Sequence, residues 1–85
     1  MKKLEALKVI EAEELNKYRK YSFDGENITE NMTGIRKTSE GWQCFETSER
    51  GGIEVIDTYE KQEDAIDNMI EGLRVYKRMA LRRRG

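Results

Sequence analysis

Residues 42–58 read WQCFETSERGGIEVIDT. In the first half, Trp42, Cys44 and Glu46 share one face of an extended chain, and Gln43, Phe45 and Thr47 share the other. This is the period of two expected of a strand. Glu49-Arg50-Gly51-Gly52 follows as a turn, where two adjacent glycines license positive φ. A second extended run covers 53–58, with Ile53 and Val55 on one face and Ile56 on the other. So short a connection joins its strands antiparallel. Both faces of 42–48 carry an aromatic, so the pattern leaves open which one is buried.

Working outward, residues 28–37 read as the preceding strand. Ile28, Glu30, Met32, Gly34 and Arg36 alternate with Asn31, Thr33 and Ile35, and Gly34 marks a bulge or a close approach of backbone. Ser39-Glu40-Gly41 supplies the hairpin turn. Asp24-Gly25 is a turn signal in the connection 18–27, where Tyr21 and Phe23 alternate around Ser22. They either begin the sheet or form an aromatic lid over one end of the core.

Helical periods flank the strands. Leu4, Leu7, Ile10 and Leu15 mark a one-faced helix over 2–17. Ala65, Ile66, Met69, Ile70, Leu73, Tyr76 and Ala80 mark a longer one over 60–81, with Gly72 allowing another element to come close and Thr58 a candidate cap. The order is α-β-β-β-α. The expected fold is α+β: a three-stranded antiparallel meander with both helices packed on one face and the opposite face largely solvated. Residues 1–85 form a single domain, with 82–85 expected to fray as a basic tail.

The chain is 85 residues long, which leaves room for one thin core and excludes barrels, large nucleotide-binding folds and multi-domain enzymes. It contains no histidine, which removes His-based metal ligation, general base catalysis and pH switching. Cys44 is the lone cysteine, so neither an intrachain disulfide nor a four-cysteine zinc site can form, and inside a strand it reads as a small core residue. The serines have no histidine to activate them. Gly51-Gly52 lacks the lysine of a phosphate loop. Glu60, Glu63, Asp64 and Asp67 read as the solvated start of a helix rather than a metal site. No catalytic site and no cofactor is expected. No apolar run spans a membrane, and no signal-type core follows Met1-Lys2-Lys3, so the expected compartment is the cytoplasm.

The formal net charge of −1 conceals a segregation by sign. Residues 24–73 hold thirteen acidic and four basic groups, whereas residues 74–85 hold six basic and no acidic ones. An acidic body repels phosphate backbones and steers cationic proteins. The candidate partner surface is Glu40, Trp42, Glu46, Glu49, Arg50, Glu54 and Asp57, presented on the sheet face that the helices leave open. The basic end offers an alternative nucleic-acid contact through Arg74, Lys77, Arg78, Arg82, Arg83 and Arg84. Helix, three strands, helix is also the order of double-stranded RNA-binding domains, but the second helix here begins Glu60-Lys61-Gln62-Glu63-Asp64, of the wrong sign for phosphate.

From Trp42 to Ala65 the chain resembles small immunity proteins of bacterial toxin systems, nearest to the immunity protein 59 family. The resemblance rests on a Trp opening a strand, Glu49-Arg50-Gly51 in a hairpin, an apolar third strand and an acidic helix start followed by Ala65. The basic tail is not part of that pattern. The resemblance implies a cytoplasmic, non-enzymatic protein that neutralises a cognate toxin by stoichiometric occlusion, the partner being a toxin or nuclease with a cationic surface. Two alternatives stand beside it: a phage-encoded inhibitor of a host nuclease using the same acidic surface, and a small nucleic-acid adaptor using the basic helix end. Dimerisation through an open sheet edge is left undecided by the sequence.

Overall fold

The computed structural model describes residues 1–84; Gly85 and the side chain of Arg84 lie outside the described residues. Helix α1 covers Lys3–Ala12 and a short 3-10 turn covers Leu15–Lys17. Strands β1 (Lys20–Ser22), β2 (Met32–Thr38), β3 (Gly41–Thr47) and β4 (Ile53–Tyr59) follow, and α2 (Gln62–Arg84) is the last described element.

The class is α+β, but the sheet is not a three-stranded antiparallel meander. It has four strands in the order β1-β2-β3-β4. The pairs β2–β3 and β3–β4 are antiparallel, as expected, while β1 lies parallel to β2 with Lys20 opposite Met32. A parallel neighbour needs a crossover, and residues 23–31 provide it. The expected strand 28–37 therefore shortens, because 28–31 belong to that crossover. Asn27 and Asn31 both take positive φ there (54° and 55°), a conformation asparagine tolerates better than most residues. Helix α1 is also shorter than 2–17. It stops where Glu14 turns left-handed at φ 55°, and Leu15 then reaches the core from the 3-10 turn.

Both helices cover one face of the sheet. Ala6 and Ile10 from α1 and Ala65, Ile66, Met69, Ile70 and Leu73 from α2 close over Leu15, Phe23, Ile35 and Cys44. Thr33, Ile35, Trp42, Cys44 and Tyr59 fall on this side by alternation along paired strands. Gly72 works as its position suggests: a Cβ there would sit 3.5 Å from Thr33 Cγ2, so α2 lies close on β2.

The opposite face is not simply solvated. Phe45 lies on it and is fully buried, outside the helix-side cluster. The crossover wraps over this side: Gly25 sits against Arg36, Thr47 Oγ1 donates to Thr29 O at 2.6 Å, and Met32 N donates to Thr47 Oγ1 at 2.8 Å. Phe45 fills the space that Gly34 leaves opposite it; a Cβ on Gly34 would stand 2.8 Å from Phe45 Cζ. The aromatic on each face of β3 thus has its own cover, Phe45 under the crossover and Trp42 against the helices.

Between β3 and β4 the register shifts. Phe45 pairs with Val55 and Cys44 with Asp57, leaving Ile56 as the extra residue of a bulge. The shift moves Asp57 to the helix side and places Ile56 where the alternation changes faces.

Candidate functional site

The carboxylates expected on the open face do not gather there. Glu46 and Glu54 are directly opposite each other in the β3–β4 pair, on the helix side, since Cys44 two places earlier is in the helix-side core. Asp57 shares that side through its pairing with Cys44. Glu49 and Arg50 are exposed in the β3–β4 turn, and Glu40 is exposed in the β2–β3 turn at the other end of the sheet. Trp42 is half-buried and packs against the helix-side core, near Glu40 rather than Glu49. The structure brings Glu46, Glu49, Arg50 and Glu54 to one end, and leaves Glu40 and Trp42 at the other. The assumption that failed was the direction of Glu46: sharing a face with Cys44, it follows that residue toward the helices.

At the Glu46 end a cleft of about 370 Å³ opens between the β3–β4 hairpin and α2. Glu46, Thr47, Ser48, Gly52, Ile53, Glu54 and Tyr76 line it. Like charges directly opposite on neighbouring strands destabilise the pair, and neither Glu46 nor Glu54 forms an ion pair among the described residues. Tyr76 donates its hydroxyl to Glu46 Oε2 at 3.2 Å. Burial, with Glu46 and Glu54 beside it, pushes the Tyr76 phenol up, against the opposing pull of Arg19. Arg19 stacks on the Tyr76 ring at 3.8 Å, donates from Nε to Thr33 Oγ1 (2.7 Å), and from Nη2 to Met32 O (3.1 Å) and Thr47 O (2.9 Å). This guanidinium is spent on holding β2, β3 and α2 together, and the two carboxylates keep acceptor capacity for a cation from outside.

Beside the cleft runs the open edge. β4 is the outermost strand on its side of the sheet. Ile53, Val55 and Ile56 are each 45–46% exposed along it. Neither Tyr76 nor this apolar edge is singled out as a contact surface by the sequence. Tyr76 carries the helical period and reads as core, and 53–58 reads as the apolar last strand of the meander, with nothing in its alternation to mark its edge as a contact surface.

The basic set divides. Arg74 makes a bidentate contact with Glu13, Nε to Oε1 at 2.9 Å and Nη2 to Oε2 at 2.7 Å, and reaches Glu71 with Nη1 at 2.7 Å. Lys77 donates to Glu13 O. Arg78, Arg82 and Arg83 are exposed, and the Arg84 side chain lies outside the described residues. Cys44 is the core residue its position suggests: Sγ donates to Ala65 O at 3.2 Å, and burial, with Asp57 nearby, pushes the thiol up to about 11.

Among the described residues no group of three or more Cys, Asp or Glu stands in a metal-holding arrangement. No described helix is long and apolar enough to cross a membrane. No protein-family model, curated protein or solved structure matches the chain.

Proposed function

We infer that the chain is a non-enzymatic protein-binding module that neutralises a cognate bacterial toxin by stoichiometric occlusion. Its contact surface is the acidic hairpin end of the sheet rather than the face opposite the helices. The observation that carries this reading is the Glu46–Glu54 pair, two opposed carboxylates at the mouth of a cleft beside Tyr76. An arriving lysine or arginine relieves their mutual repulsion, and Tyr76, stacked on Arg19, holds the Glu46 carboxylate at the cleft through its hydroxyl. Glu49 extends the negative field into the exposed turn, where it acts on encounter rate. The partner is a protein with a cationic working surface, such as a nuclease toxin.

The test pairs the chain with the protein encoded beside its gene and measures binding by calorimetry. Glu49→Lys with Glu54→Lys lowers affinity on the order of tenfold or more, the loss growing as salt is reduced. Both residues are exposed, so the melting temperature stays near that of the parent. Unchanged affinity contradicts the acidic contact. Retention of nucleic acid by the chain alone in a gel shift favours the adaptor instead.

A further inference from the structure

We propose that the β4 edge is closed by a second copy of this chain, in a two-fold dimer that joins two four-stranded sheets and sets the α2 helices side by side and antiparallel. Three observations carry it. First, β4 is a seven-residue edge strand with three exposed apolar side chains, Ile53, Val55 and Ile56. An edge of this kind is a template for another strand.

Second, α2 runs antiparallel to β4. Asn68 near its start donates to Tyr59 Oη at 2.9 Å, at the end of β4, and Tyr76 further along reaches Glu46, the partner of Glu54 near the beginning of β4. A two-fold axis through the middle of β4 therefore places the end of one α2 beside the start of the other. Glu60, just before α2, and Asp64 in its first turn are acidic and exposed, while Asp67 is taken by the Met1 amino group at 2.6 Å; the far end carries the exposed Arg78, Arg82 and Arg83. Each copy supplies both halves of a charge match, so the contact occurs twice. A purely cationic partner would leave the basic end unanswered. The net charge of −1 gives two copies almost no long-range repulsion.

Third, the stripe of α2 that flanks β4 is patterned for such a neighbour. Asp64, Asn68, Val75, Met79 and Arg82 recur at helical spacing, acidic at the start, apolar in the middle and basic at the end. Val75 and Met79 are each 42% exposed. The seam stands on this geometry and not on the toxin reading, although Glu54 lies beside it, so a partner docking there competes with the second copy.

A charge-swap experiment tests the proposal with the chain alone. Sedimentation velocity across micromolar to sub-millimolar concentrations is expected to show the parent chain as a dimer. The variant Arg78→Glu with Arg82→Glu, and separately the variant Glu60→Lys with Asp64→Lys, each bring like charges together at both contacts and sediment as monomers. Mixed in equal amounts they restore both contacts and form a heterodimer, which also shows that each is folded. A parent chain that stays monomeric throughout overturns the proposal. So does a dimer that either variant leaves intact, or a mixture that fails to associate.

Discussion

Gly34 and Phe45 are opposite each other across the β2–β3 pair, and the absence of a side chain at one is what buries the other. A methyl group at Gly34 would stand 2.8 Å from both Phe45 Cζ and Ser22 O. Ser22 O belongs to β1 backbone and Phe45 is fully buried, so neither can retreat cheaply. Gly34→Ala is expected to destabilise by about 1–3 kcal/mol through overpacking. A domain of this size then melts several degrees lower, at about 4–8 °C per kcal/mol. A thermal melt that matches the parent would show that Phe45 is not seated against Gly34. Gly34 was legible in the sequence as a point of close approach. What approaches it was not, because Trp42 and Phe45 occupy opposite faces of one strand and alternation alone gives both equal claim to the core.

At the scale of elements, the end of α1 shows how one helix completes another. α1 has no basic residue in its last turn, and Glu13 at its C-cap carries the wrong sign for the helix dipole. The correction comes from α2: Arg74 clasps the Glu13 carboxylate and Lys77 takes the Glu13 carbonyl. The hydrogen bonds from Arg74 hold the Glu13 carboxyl below its ordinary value. A depressed carboxyl stabilises the fold above the unfolded-state value near 4.5, and that contribution is lost as pH falls through the lower folded value. Arg74→Met is therefore expected to cost about 1 kcal/mol at neutral pH, the clasp being partly exposed, with the difference from the parent shrinking below about pH 4. Denaturant titrations at neutral and acid pH check this; a pH-independent difference would assign the loss to packing of the arginine stem. Long-range pairings such as Arg74 with Glu13 leave no local pattern. Both helices were legible from their apolar periods, and β3 and β4 from alternation and the Gly51-Gly52 turn. β1 was hinted at only by Tyr21 and Phe23, since three residues are too few for a period to show.

For the whole molecule, the segregation of charge was plain in the sequence, but its placement depended on the fold. The chain direction of α2 over β4 carries the basic end back past the acidic hairpin, and the bulge at Ile56 turns Asp57 toward the helices. The face opposite the helices holds a covered phenylalanine instead of a carboxylate patch. What remains available is an edge: β4, its exposed apolar side chains and the carboxylates beside them. Amide hydrogen exchange followed as a function of protein concentration tests that edge most directly. The β4 amides of Ile53–Tyr59 not bonded to β3 are expected to slow as concentration rises, while β1, at the other side of the sheet, exchanges at an unchanged rate. Exchange in β4 that is indifferent to concentration, or slowing that appears at β1 instead, would contradict the account.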